Sequence, residues 1–212
     1  MTCRQCQGLE NLFDAKTATN ELKDYRKKGP SKTTKMLVAA LTSKGVEGLT
    51  LLDIGGGVGA IQHELVKAGV NRVVNVDAST AYLDAAKSEA IRQGYANQAS
   101  YHHGDFVELA PTIAPVDIVT LDRAICCYPD MPALVGLSSA RAAKFYGLVY
   151  PRDAWWTRVG VGIINFFSWL FYKDYRFFAH ATHAVEAILH QNGLKQCFYR
   201  QTFLWQIAVY GR

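Results

Sequence analysis

Leu49-Thr50-Leu51-Leu52-Asp53-Ile54-Gly55-Gly56-Gly57-Val58-Gly59 is the stretch on which the reading of the whole chain turns. Its first half is a short apolar run, the length of a buried strand. Its second half holds four glycines in five residues. Glycine there lets the backbone turn sharply and approach a ligand with no Cβ in the way. A helical pattern follows at residues 60–69. Strand, glycine loop and helix together open a βα unit whose helix N-terminus can receive a ligand. At this point the ligand is open: Gly55, Gly57 and Ala60 also satisfy the dinucleotide fingerprint, and Asp77 stands where an acidic residue binds ribose hydroxyls.

Outward from the loop, the alternation continues. Residues 72–77 read as a second strand, and Ser79 caps a helix over about 80–93 with Tyr82, Leu83, Ala86, Ala90 and Ile91 at helical spacing. Strands follow near 99–103, 116–121 and 144–150. Strands separated by helices of this length imply right-handed crossovers and a parallel sheet. A helix at about 182–192 closes at Gly193, and strands near 195–201 and 203–210 have almost nothing between them, the mark of antiparallel neighbours. Ahead of the loop, Asp14–Lys28 reads as a helix stopped by Gly29-Pro30, and Ser31 caps a second helix over roughly 32–44. The expected fold is α/β: a doubly wound, Rossmann-like, seven-stranded sheet, mostly parallel with a C-terminal antiparallel strand, and an N-terminal helical cap.

Composition agrees with such a fold. The 212 residues are 50% hydrophobic and 19% charged, which excludes disorder and low complexity as descriptions of the whole chain. Of the net charge of +5, residues 1–48 hold +4, with the densest run at Lys23-Asp24-Tyr25-Arg26-Lys27-Lys28. A solvated helix face accounts for that run better than a nucleic-acid site, and no nucleic-acid partner is expected. The five cysteines (3, 6, 126, 127 and 197) are odd in number and no signal peptide precedes them, so reduced thiols and a cytoplasmic location are expected. The longest uncharged apolar run, Val159–Tyr172, falls short of the ~20 residues that span a bilayer. It can serve as a buried helix, a lid, or a weak interfacial membrane contact. Cys3-x-x-Cys6 has metal-compatible spacing but no second pair, and no metal is expected.

Three further features bear on the ligand. Asp53 stands two residues before the first glycine, placed to meet a cation; His103-Gly104-Asp105-Phe106 follows the third strand; and the chain closes with the antiparallel pair. Asp53-x-Gly55-x-Gly57-x-Gly59, Asp77, Gly104-Asp105-Phe106 and the Asp117–Asp122 strand resemble, in order and spacing, the motif series of class I S-adenosylmethionine-dependent methyltransferases. A weaker resemblance, carried by residues 25–30 and 121–129, is to relatives of the magnesium-protoporphyrin O-methyltransferases. The first resemblance implies that Gly55, Gly57 and Gly59 pass beneath the methionine part of S-adenosylmethionine, with Asp53 near its amino-acid end. It further implies that Asp77 takes the ribose diol beside Ala78, that Asp105 takes the adenine amino group, and that Phe106 packs on the adenine ring. Residues 49–212 are then the methyltransferase domain, after a cap at 1–48 and with an aromatic lid insertion at 151–180.

The methyl acceptor is narrowed by exclusion. After the fourth strand stands Leu121-Asp122-Arg123-Ala124, with neither the Asn/Asp-Pro-Pro-Tyr/Phe of amino-methylating enzymes nor the Pro-Cys of cytosine C5 enzymes. A small-molecule acceptor with an O, S or N nucleophile remains. Methyl transfer needs alignment, exclusion of water and an acceptor for a proton. Asp122 and Tyr128 are the catalytic candidates, Asp122 also as a cofactor contact, and Arg123, Tyr128 and His180 are the acceptor-binding candidates. The basic run at Arg26–Lys28 and the aromatics Trp155, Trp156 and Phe167 are expected to face the acceptor from opposite walls. The alternatives are an NAD(P)-dependent oxidoreductase and a non-catalytic cofactor-binding interaction module.

Overall fold

The computed structural model describes residues 8–10, 12–171 and 176–212. Two helices, α1 (Ala15–Lys28) and α2 (Lys32–Thr42), precede the alternating body. The body runs β1 (Thr50–Ile54), α3 (Ala60–Lys67), β2 (Arg72–Asp77), α4 (Thr80–Arg92), β3 (Ala99–His103), α5 (Phe106–Leu109), β4 (Val116–Asp122), α6 (Met131–Ala140) and β5 (Ala142–Pro151). The tail adds α7 (Trp155–Phe171), α8 (Thr182–Gln191), β6 (Lys195–Gln201) and β7 (Trp205–Gly211).

The seven strands form one sheet in the order β3-β2-β1-β4-β5-β7-β6. The pairs from β3 to β5 are parallel, and β7 is antiparallel to both β5 and β6. The order reverses between β1 and β4, and in open α/β sheets ligands bind at such a switch point, outside the carboxyl ends of the strands. Register there sets Asp53 opposite Thr120.

Both faces of the sheet are covered, which is why its central strands read as unbroken apolar runs. On one face Leu37 and Leu41 of α2 and Ile61 and Leu65 of α3 pack on Leu51 and Ile118. On the other, Leu134 and Val135 of α6 and Val185 and Leu189 of α8 pack on Leu52 and Val119. Neighbours in β1 thus serve opposite layers, as strand geometry requires. With Leu37 and Leu41 fully buried, α2 is part of the sheet's covering layer. α1 instead packs Ala18, Leu22 and Tyr25 against Val58 and Tyr82. The basic run Arg26-Lys27-Lys28 is its last turn, where the helix dipole favours cations.

Among the described residues, no helix is long and apolar enough to cross a membrane. No group of three or more His, Cys, Asp or Glu is placed to hold a metal ion among them either. Cys3 and Cys6 lie outside the described residues, as do the side chains of Phe167, Trp169 and Phe171.

Candidate active site

A cavity of about 380 Å³ opens at the carboxyl ends of β1, β2 and β4. The glycine loop forms its floor. Gly55 (φ +64°) and Gly57 (φ +55°) are left-handed, a region other residues enter only under strain. A Cβ on Gly55 would sit 2.8 Å from the Cβ of Ala124, whereas one on Gly57 would meet nothing within 4 Å. The first glycine therefore seals a contact with the loop after β4, and the second keeps space open. Asp77 ties β2 to this loop: the Gly57 N–H donates to its Oδ2 at 3.0 Å and the Ser79 N–H to its Oδ1 at 2.9 Å.

Five carboxylates line the cavity: Asp53, Asp77, Asp105, Asp122 and Glu21. Asp53 is fully buried; Thr120 donates to its Oδ1 at 2.8 Å, and its Oδ2 has no hydrogen-bond partner. Burial pushes its pKa up to about 7, against the Thr120 hydrogen bond and with help from Asp122 and Asp77. Burial likewise raises Asp77 to about 6, opposed by the backbone N–H groups of Ser79 and Gly57. A buried carboxylate oxygen with nothing to bond fits a cationic ligand group. Asp105 caps α5 by accepting the Val107 N–H at 2.9 Å, and the Tyr128 hydroxyl donates to both its oxygens at 3.0 and 2.8 Å. Phe106 and Ala78 also line the cavity.

Leu9, Phe13, Phe177 and Trp205 add apolar walls, Phe13 beside the end of β2, where Ser79 donates to its carbonyl at 2.7 Å and the Tyr82 ring lies 5.1 Å away. Asp122 and Arg123 enter the cavity from the end of β4. Thr34 donates to Asp122 Oδ2, and Arg123 Nε to Oδ1 at 3.1 Å, so the carboxylate is held from two sides. Arg123 has φ +60° and is the one non-glycine residue of positive φ among those described. Strain of this kind collects at ligand-binding loops. Cys126 and Cys127 line the wall outside any disulfide, and the hydrogen bond with Cys127, then burial, raise the Cys126 thiol.

The candidates read from sequence thus fall into two sets. Asp53, Gly55, Gly57, Asp77, Ala78, Asp105, Phe106, Asp122, Arg123 and Tyr128 come together around one cavity. Gly59 and His180 stand outside its lining. Gly59 caps α3 at φ +81°, and His180 Nε2 donates to the carbonyls of Ile125 and Tyr128 at 2.9 and 3.1 Å, holding the turn that carries Tyr128. Burial keeps the His180 pKa below the ordinary imidazole value, so it acts as a neutral donor. The basic run does not reach the cavity: Arg26 pairs with buried Glu89 at 2.8 Å and Lys28 with Asp24 at 2.8 Å, and α1 presents Glu21 instead. Trp155 and Trp156 are absent from the lining, and Trp155 faces solvent.

Sequence reasoning missed what lies behind the loop. His63 is buried, donates through Nε2 to the Val58 carbonyl at 2.9 Å and accepts from the Tyr95 hydroxyl through Nδ1. Gln62 bridges Asn75, Tyr95 and Tyr101. The signal was there: Gln62 and His63 sit between Ile61 and Leu65 on the packed side of α3.

Residues 51–141 match the family model of a methyltransferase domain. Residues 51–141 carry a methyltransferase domain. No curated protein matches it in sequence. Among solved structures the methyltransferase resembles magnesium protoporphyrin IX methyltransferase from Synechocystis PCC 6803 with bound S-adenosylhomocysteine, at 19% identity and a TM-score of 0.76, over 98% of this chain and 99% of that one. It also resembles an O-methyltransferase family protein from Burkholderia thailandensis (12% identity, TM-score 0.70, 94% of this chain and 60% of that one). A third is a family 2 O-methyltransferase from Planctomyces limnophilus in complex with apigenin (12%, 0.61, 87% and 62%). At these identities the likeness is one of fold. The methyltransferase domain implies S-adenosylmethionine as cofactor.

Proposed function

We propose that this methyltransferase acts on a small molecule with an apolar body, an anionic group and an O, S or N nucleophile. The observation that carries this reading is one cavity whose lining joins two chemistries. Carboxylates and the glycine loop line it together with the apolar side chains of Leu9, Phe13, Phe177 and Trp205 and the guanidinium-bearing Arg123. When bound, S-adenosylmethionine supplies an electrophilic methyl group on a sulfonium.

The protein's own groups take the following parts. Asp53 Oδ2, unpartnered beneath the glycine loop, faces the cationic amine; Gly55 and Gly57 let the backbone close on the methionine part, with Gly59 setting the turn into α3. Asp77, beside Ala78, takes the ribose diol; Asp105 takes the adenine amino group, and Phe106 the ring. Tyr128 fixes the Asp105 carboxylate through its hydroxyl, and His180 fixes Tyr128's turn. Asp122, held by Thr34 and Arg123 at the end of β4, is the group able to receive the acceptor's proton. Arg123 pairs with the acceptor's anionic group, and the apolar wall excludes water. Residues 151–180 form the lid insertion, through Phe177, and the segment before β1 supplies the opposite wall through Leu9, Phe13 and Glu21. Cys126, Cys127 and Cys197, which form no disulfide, accord with a cytoplasmic setting.

The test is a calorimetric titration with S-adenosylhomocysteine and with NAD, followed by incubation with methyl-labelled donor and a metabolite extract. The expected result is binding of the first ligand alone and label in an apolar acid identified by mass spectrometry. Label appearing only in protein or nucleic acid refutes the small-molecule reading.

A further inference from the structure

We infer that the outward side of α7, together with the tip of the β6–β7 hairpin, is a docking face for the surface of an anionic lipid bilayer. The inward side of α7 is already committed. Thr157 is buried, and Asn165 exchanges two 2.8 Å hydrogen bonds with the backbone of Phe177. A helix packed on one side ordinarily turns polar residues outward. Here Trp155, Val159, Ile163 and Phe166, four, four and three residues apart, share the outward side and are 74%, 55%, 55% and 63% exposed. At the hairpin tip Phe203 and Leu204 are 74% and 49% exposed.

The two segments make one continuous patch. Trp156 meets Trp155 edge-on at 6.0 Å and stacks on Phe203 at 6.3 Å, while the Arg152 N–H donates to the Leu204 carbonyl at 2.9 Å. Six large apolar side chains in one patch exceed the scattered exposure normal for a monomer surface.

Charge selects the occupant. The Arg152 guanidinium lies 5.4 Å over the Trp156 ring, Arg158 is exposed beside Val159, and Arg200 is exposed two residues before the turn. Asp153, the nearby acid, pairs with Arg158 at 2.6 Å, so Arg152 and Arg200 carry the net positive charge beside the patch. Residues 151–212 hold seven Lys/Arg against three Asp/Glu. A second copy docked across a two-fold axis would set these arginines against their own kind. Phospholipid headgroups of negative charge complement them, and Trp and Phe are suited to the boundary between headgroup and acyl chain. Since no described helix is long and apolar enough to cross, α7 lies along the surface. The same helix grips Phe177 in the cavity wall, so docking face and cavity wall share one element.

The experiment mixes the full-length protein with vesicles of phosphatidylcholine alone, or of phosphatidylcholine and phosphatidylglycerol, and reads partition by sedimentation at low and high salt. Binding is expected on the anionic vesicles, weakened by salt, and lowered about tenfold or more by the double variant Trp155→Ser, Phe203→Ser. These positions lie outside the cavity lining, so unchanged S-adenosylhomocysteine affinity verifies the fold; Ile163→Ser with Phe166→Ser is the second variant if the first misfolds. Light scattering on vesicle-free protein completes the test. A dimer dissociated by the same substitutions makes a second copy the occupant and overturns the inference. So does a monomer that partitions to neither vesicle, or to both alike at every salt concentration.

Discussion

At the scale of single residues, ionisation sets stability and ligand binding against each other. Burial raises Asp53 to about 7 from 3.8, and Asp77 to about 6 from the same value. Between 3.8 and these folded values the native protein holds protons that the unfolded chain has released, so stability from both groups falls as pH rises through that window. His63 has the opposite sign: burial lowers it to about 4 from 6.5, so its contribution is lost as pH falls from 6.5 toward 4. Asp53→Asn removes a buried charge with an unpartnered oxygen and keeps an acceptor for Thr120. It is expected to stabilise the fold by ~1–3 kcal/mol above the Asp53 pKa, and to weaken S-adenosylhomocysteine about tenfold. In the wild type that affinity rises as pH passes through about 7; in the variant this rise disappears. Urea melts and calorimetry across that range check both halves, and a variant that is less stable with intact affinity makes Asp53 a structural residue.

At the scale of elements, the glycine loop separates a folding role from a binding role. An alanine at Gly55 is strained by φ +64° and overlaps Ala124, so Gly55→Ala is expected to cost about 2 kcal/mol or more of stability. Gly57→Ala carries the same kind of strain but no overlap; it is expected to cost about 1 kcal/mol while lowering S-adenosylhomocysteine affinity about tenfold or more. Thermal melts and titrations on the two variants test the contrast, and equal effects on affinity would make the loop a plain turn. The βα order was legible because each central strand is covered on both faces, so that Leu51 and Leu52 are apolar for opposite layers. Local pattern failed where one face does not contrast with the other. α6, Met-Pro-Ala-Leu-Val-Gly-Leu-Ser-Ser-Ala, is apolar or small on every side and shows no stripe to read. The cavity floor was legible from glycines and acids whose types are demanded by local geometry. Its apolar lining was not, because Leu9, Phe13 and Trp205 carry no local signature until tertiary contacts bring them to one cavity.

At the scale of the molecule, the cavity joins segments that folding alone leaves loosely coupled. Its lining is drawn from residues 9–21 ahead of the sheet, the loops after β1, β2, β3 and β4, and Phe177 and Trp205 in the tail. α1 rests on the body through Tyr25 donating to Glu64 at 2.8 Å and Arg26 pairing with Glu89, and it carries Glu21 to the cavity. A ligand that fills this space binds the native state and has no counterpart in the unfolded chain, so it stabilises by mass action. At a hundredfold excess over Kd the gain is ~2.7 kcal/mol. For a chain of this length each kcal/mol raises Tm by ~2–4 °C, so S-adenosylhomocysteine is expected to raise Tm by ~5–10 °C, and NAD not at all. Amide exchange then locates the coupling. Slowing is expected in residues 55–59 and 123–128 and also in α1, because Glu21 and the adjoining Phe13 close the cavity from that side. If the ligand raises Tm but leaves exchange in α1 untouched, the wall ahead of the sheet takes no part in binding, and its deletion up to Phe13 will leave the affinity unchanged.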